Sequence, residues 1–329
     1  MIKVKLTTYN YNQSIRESIQ KQTPRQSLKW GEVQFYLNED VYGCDYWVIF
    51  DYLPKEETTH CQKENTIFIA GEPSSIKKYD KKFLNQFSKI ITCQRRIQGP
   101  NVFYMAPGHT WRPEKNYDEL SGNYKVEKNK LISIVVSNKS GTPGHKKRLE
   151  FCMKLKEHFG DKIDIFGRGI NDFGDKWDVL APYKYSIAIE NSAEVDNMTE
   201  KIGDCYTTLT FPFYYGCPNI DRYYDKDSYQ LIDIDDFDGT CTKIENIIND
   251  EQHYERHLKA LIKSKNKYIN EYSLIPLIAN FIQNNNRKTY HSKIDKIRIR
   301  PQREFQEKSY FTTAIRTMLR KIRDKYFKK

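Results

Sequence analysis

Residues 183–216, YKYSIAIENSAEVDNMTEKIGDCYTTLTFPFYYG, constrain the fold more than any other part of the chain. A short apolar run, Ser186–Ile189, has the content of a buried strand and stops at the polar Glu190-Asn191-Ser192. After a loop, Thr199-Glu200-Lys201 has the hydroxyl-first pattern of a helix start. A second apolar run, Leu209–Tyr215, then ends at Gly216. Backbone N–H groups at a helix start attract phosphate, and a lysine there adds a full charge. The unit therefore suits a nucleotide.

The rest of the chain alternates in the same way. Ile2–Thr7, Val33–Leu37, Tyr46–Phe50, Thr66–Ala70 and Lys89–Thr92 read as buried strands, with a helix over Lys77–Phe87. Residues 112–130 are charged, carry no clear period and read as a linker. A second series follows: strand Leu131–Val136, helix His145–Phe159, strand Ile163–Phe166, the opening stretch, and strand Tyr229–Ile234. Helical segments fill about 241–249 and 253–285. Two successive series predict an α/β fold of two doubly wound, Rossmann-like domains facing across a cleft, residues 1–118 and 119–286, with a tail over 287–329.

Charge separates the tail from the body. Residues 287–329 hold 15 Lys+Arg against 4 Asp+Glu, which accounts for the net charge of +11 of all 329 residues. The body is balanced, which argues against a nucleic-acid-binding surface there. In residues 309–329, Phe311, Ile315, Met318, Leu319, Ile322 and Tyr326 follow helical spacing between arginines and lysines. That pattern fits a peripheral helix on an anionic inner-membrane surface, or a stripe docked on its own domain. No apolar run reaches spanning length, and the start MIKVKLTTYNYNQ reads as a strand rather than a signal peptide, so a cytoplasmic location is expected. The seven cysteines are scattered without a CxxC pair and are expected to be buried free thiols.

The central stretch resembles the family 10 glycosyltransferases, the α-1,3/4-fucosyltransferases. The family pattern is a strand ending in E-N-S/T, a variable loop, T-E-K, and a small strand ending in glycine. Here these are Glu190-Asn191-Ser192, Thr199-Glu200-Lys201 and the run to Gly216. VVSNKSGTPGHKKRLEF (135–151) looks like the family's Ser-Asn turn and helix-opening arginine. IFIAGEPSSI (67–76) looks like its G-E segment, and SYQLIDIDDFD (228–238) like its strand leading to Asp-Phe. The loop AEVDNM (193–198) departs from the aromatic-glycine character common before T-E-K.

The resemblance implies a GT-B architecture and an inverting, metal-independent transfer of L-fucose from GDP-fucose, with no cofactor required. The acceptor would be a galactose or N-acetylglucosamine hydroxyl of a bacterial surface glycan, in an α-1,3-type linkage; a lipid-linked acceptor agrees with the basic tail. Such a reaction needs one base for the acceptor proton and positive charge on the departing diphosphate. Glu72 would be the base, though alone it also reads as a turn acid before Pro73. Lys201 and Arg148 would hold the diphosphate, with His145, Lys146 and Lys147 close enough to shift the alignment. Glu200 would accept from ribose or sugar hydroxyls. Asn191 would bond the donor or fix its loop, Ser137-Asn138 would form a turn or touch phosphate, and Glu190 and Thr199 complete the donor set.

Other signals rank lower. Asp233-Ile234-Asp235 has the DxD form of metal-dependent transferases but overlaps the family strand and reads as surface acid. FGRGIN (166–171) is only part of a dinucleotide fingerprint. His253 and His257 lack the HExxH order and a third ligand. The alternatives to a fucosyl transfer are the same fold with another nucleotide sugar, or a basic nucleic-acid- or glycan-binding protein without catalysis.

Overall fold

A computed structural model describes residues 1–8, 13–139, 141–285 and 294–306. The chain forms two compact units, one of Met1–Tyr11, Gln34–Phe103 and Thr289–Lys329, the other of Asn12–Val33 and Tyr104–Lys288. They do not coincide with the expected segments 1–118 and 119–286, because residues 12–33 and 104–118 belong with the second unit.

In the first unit, strands β1 (Ile2–Thr8), β2 (Val33–Leu37), β3 (Tyr46–Phe50), β4 (Glu57–Cys61), β5 (Thr66–Ile69) and β6 (Lys89–Thr92) follow one another. Five of these strands lie side by side in the order β2-β1-β3-β5-β6. The pairs β1–β3, β3–β5 and β5–β6 are parallel, with Leu6 opposite Val48 and Val48 opposite Ile67. A parallel sheet is covered on both faces, so its strands carry unbroken apolar runs rather than alternation. Trp47, Val48, Ile49, Phe68 and Ile69 are accordingly all buried. Strand β4 stands outside this sheet and pairs antiparallel with β12 (Asp295–Ile299), Ile297 opposite Thr59. The expected tail therefore returns a strand in its first part; the helix expected over 309–329 lies outside the described residues. The helix expected over Lys77–Phe87 is confined to Lys81–Leu84, started by Asp80, whose side chain accepts from Lys82 and Phe83 N–H.

In the second unit, β7 (Lys130–Val135), β8 (Ile163–Phe166), β9 (Tyr183–Ile189), β10 (Phe211–Tyr215) and β11 (Gln230–Leu231) lie in the order β8-β7-β9-β10-β11. All four neighbouring pairs are parallel. Five helices follow in chain order: α1 (Pro143–Phe159), α2 (Glu200–Thr207), α3 (Phe237–Ile248), α4 (His253–Lys267) and α5 (Leu274–Asn285). Taken by appearance in the chain, the strand order is 2-1-3-4-5, a doubly wound order whose switch point lies between β7 and β9. Helix α1 follows β7 and α2 follows β9 in the chain, so each begins after the carboxyl end of a strand that flanks the switch point.

The span read as a linker is packed. Leu120 is buried, and Asn116 and Glu119 form a reciprocal capping box for a helix over Tyr117–Ser121. The N-x-x-E spacing carries that signal at a length too short for a period to show. Lys128 Nζ is enclosed and donates to Ala181 O (2.7 Å), Thr208 O (2.8 Å) and Thr210 Oγ1 (3.0 Å), which uses all three of its protons. All seven cysteines are free and buried. Among the described residues no helix is long and apolar enough to cross a membrane.

Candidate active site

Strand β9 delivers Glu190 and Asn191 to the switch point. Glu190 is 1% exposed and its N–H donates to Tyr215 O at 2.8 Å, so it is still tied to the sheet. Thr199 caps α2, and its N–H and hydroxyl both reach back to Glu190 Oε1, at 2.8 and 2.9 Å. Lys201 Nζ donates to Glu190 Oε2 at 3.0 Å and to Thr199 Oγ1 at 2.9 Å. The E-N-S and T-E-K pieces, separated by the six-residue loop 193–198, are thus one hydrogen-bonded knot. Both carboxylate oxygens of Glu190 are taken by protein groups, the arrangement of a residue that orients Thr199 and Lys201.

Glu200 Oε1 lies 4.0 Å from Lys201 Nζ. Burial disfavours its charge, but Lys201, Lys176, His109 and Arg112 outweigh that and hold its carboxyl well below the usual carboxylate range. Burial disfavours the Lys201 ammonium too, and Glu190 and Glu200 more than restore it, leaving its pKa above the ordinary value. Behind Glu200, one turn further along α2, Asp204 is fully buried. Its oxygens accept from Lys176 Nζ (2.7 Å) and Arg112 N–H (2.9 Å). Lys176, His109, Arg112 and Asp204 escape a sequence reading, except that Asp204 stands four residues after Glu200 on the same helical face.

Helix α1 supplies the other cation. Thr142 caps it, accepting from His145 N–H at 3.2 Å, with Pro143 at its first position. Its buried stripe is Phe151, Cys152, Leu155 and Phe159, and Arg148 continues that stripe to the switch point, 7% exposed. A charged residue at a core position needs a partner. Arg148 Nη1 donates to Asn191 Oδ1 at 2.6 Å, while Nε is enclosed with no partner among the described residues. Gly144 presses on the same residue: a Cβ there would stand 2.1 Å from Asn191 O. Helix α1 therefore holds Asn191 through its side chain and crowds its carbonyl.

Ser137 and Asn138 leave the end of β7, where Asn138 N–H donates to Arg168 O at 3.2 Å. Gly167 and Gly169 let this turn close. They have positive φ, and Cβ atoms there would stand 1.7 Å from Val136 O and 2.2 Å from Asn138 Nδ2. The G-x-G pattern thus serves backbone approach. The variable loop is pinned by Asp196, which accepts from Asn219 Nδ2 and Tyr223 Oη, each at 2.7 Å. Of the lower-ranked signals, Asp235 pairs with Lys147 at the surface, and His253 and His257 stack on each other at 4.1 Å beside Phe211. Glu72 lies in the first unit, three residues beyond β5. Its N–H donates to Tyr79 Oη at 3.3 Å and its carbonyl accepts from Gln94 Nε2 at 2.7 Å. Asp51, at the end of β3, holds this loop through Tyr79 Oη and through Lys77 Nζ at 2.9 Å.

The fold is that of the GT-B glycosyltransferases. A crystal structure of an alpha1,3-fucosyltransferase with GDP matches with a TM-score of 0.53 at 16% identity, covering 89% of this chain and 93% of that one. An alpha-glucosyltransferase in complex with UDP and a 13-mer DNA matches at 0.51 and 9% identity, over 85% and 98%. The model of glycosyltransferase family 10 (fucosyltransferase), C-terminal part, matches residues 125–297, more than half of the chain, and the chain belongs to that family. GDP-fucose protein O-fucosyltransferase 3 of Danio rerio is 25% identical over 195 residues, 54% of this chain and 41% of that protein. The chain thus spans about two fifths of the length of the curated relative it matches.

Proposed function

We propose that the chain transfers L-fucose from GDP-fucose to a sugar hydroxyl, with inversion and without a metal. The observation that carries this reading is the pairing of Arg148 with Asn191 beside the Glu190–Thr199–Lys201 knot, in a member of a fucosyltransferase family. In the reaction the acceptor oxygen attacks the anomeric carbon as its bond to the diphosphate breaks. Arg148 and Lys201 take the charge that develops on the leaving group, and Glu200 accepts from donor hydroxyls. Glu72 takes the acceptor proton. We place the acceptor, a galactose or N-acetylglucosamine unit joined in an α-1,3-type linkage, in a bacterial surface glycan reached at the membrane through residues 309–329. A second reading follows from the curated relative's name: a protein hydroxyl as acceptor.

A thermal-shift panel of nucleotide sugars with and without EDTA tests the donor. A ligand that binds only the folded protein raises its melting temperature with occupancy. Stabilisation by GDP and GDP-fucose, unchanged by EDTA, is expected. Stabilisation by UDP-sugars alone, or only with metal, overturns both assignments.

A further inference from the structure

Four charges gathered at the switch point cancel one another. Arg148 and Lys201 are cations, Glu190 and Glu200 are anions, and Lys201 already spends two protons on Glu190 and Thr199. A diphosphate adds at least two negative charges to this neutral set, so one more positive group beside it would favour the ligand. One neutral group is placed to supply it. His145 sits in the first turn of α1, three residues before Arg148 and so on the same face. Its neighbour Gly144 packs directly on Asn191. Its Nδ1 is enclosed and, like Arg148 Nε, has no partner among the described residues. Two polar atoms, one on a side chain 93% buried, are left open at the start of one helix, as expected where an anionic ligand completes the bonding.

We propose that His145 is a third group of the diphosphate site, neutral in the free enzyme and protonated when nucleoside diphosphate binds, so that binding takes up a proton from solvent. This rests on the donor reading above. The groups facing His145 are Arg148 on its own helix, Lys139 after β7 and Lys201 on α2. Burial first, and then these three cations, hold its pKa below the ordinary histidine value, so without ligand it carries no charge near neutrality. A bound diphosphate reverses the sign of its surroundings and raises that pKa. The imidazolium then donates to the phosphate, and affinity rises as pH falls.

The test is calorimetric titration of the full chain with GDP, at pH 6.5 to 8.5, in buffers of different ionisation enthalpy. The wild type is expected to take up a proton, with affinity rising by up to about tenfold per pH unit on going down. His145→Gln loses both the uptake and the slope while still binding at pH 8.5. His145→Lys, charged throughout, binds GDP at pH 8.5 at least as tightly as wild type and with a flat profile. Thermal melts confirm that both variants fold. An unchanged slope in His145→Gln, or release of protons by the wild type, overturns the role of His145 alone. Failure of the wild type to bind GDP at any pH overturns the donor reading, and this proposal with it.

Discussion

Each of the two larger sheets places a glutamate just past a parallel strand, and the two are held in different ways. Glu190 is sealed, its oxygens both bonded to Thr199 and Lys201. Glu72 is half-exposed, and its main chain is gripped through Tyr79 and Gln94. A carboxylate locked to a cation inside the protein has nothing left with which to take a proton from substrate. One that solvent reaches is the candidate for that proton, the role proposed for Glu72. The same residue type after the same kind of strand is thus a frame in one unit and, in the proposed reaction, a reagent in the other.

The largest effect expected from this contrast is at Glu72. On the proposed reaction, Glu72→Gln keeps the shape and removes the base, so turnover with GDP-fucose should fall by about 10²- to 10⁴-fold. GDP affinity and melting temperature should stay as in the wild type. A variant that turns over normally removes Glu72 from the chemistry and leaves the two glutamates without their contrast.

Next is the frame itself. Lys201→Met strands the Glu190 carboxylate without its cation, and loss of one partner of a buried pair costs about 3–5 kcal/mol. In Glu190→Gln/Lys201→Met the stranded charge is gone and Gln can still accept from Thr199. Chemical denaturation should show most of the stability returned, while GDP affinity stays lost. If the double variant is no more stable than Lys201→Met, Glu190 is not the sealed anion described here.

How far the sequence revealed this site depends on whether a residue's role is local. Thr199 as helix cap, the strand up to Ile189 and the cations Arg148 and Lys201 are legible because cap chemistry, apolar runs and the family spacing all act over a few residues. The strand order, and with it the switch point between Ser137-Asn138 and Glu190-Asn191, needs partners far apart in the chain. The same holds for Asp295–Ile299, whose K-I-R-I alternation is hidden in a basic segment and whose partner is Glu57–Cys61. Residues 112–130 misled because their charges are used inward: Lys128 caps three oxygens, and Asn116 and Glu119 cap a single short helix. His145 was visible only as a neighbour of Arg148, since its enclosure comes from packing.

Two glycines sharpen the comparison at smaller scale. A Cβ on Gly216 would stand 2.4 Å from Glu190 Cγ and 2.6 Å from Tyr214 Oη, inside the sealed site. Gly216→Ala should therefore cost about 1–3 kcal/mol, read as a lower denaturation midpoint. A Cβ on Gly71, beside Glu72, would stand 3.1 Å from Phe50 Cζ and 3.2 Å from Asp51 Cβ, a contact that slight movement relieves. Gly71→Ala should cost less than about 1 kcal/mol. Equal losses at the two positions would mean that the Glu72 loop is packed as tightly as the donor knot.

The smallest effect concerns pH and the acid next to the frame. Burial alone would raise the pKa of Glu200, but Lys201, Lys176, His109 and Arg112 hold it below the ordinary value. A carboxyl depressed on folding contributes stability above its unfolded pKa of about 4.3 and loses it as the pH falls through and below that value. Wild type should therefore melt above Glu200→Gln at pH 7 by a few degrees, ~2–4 °C for a protein of this size, and the gap should narrow from pH 5 downward. A gap that stays constant to pH 3 would mean that Glu200 contributes shape rather than charge. The frame around Glu190 would then have to hold Lys201 without its help.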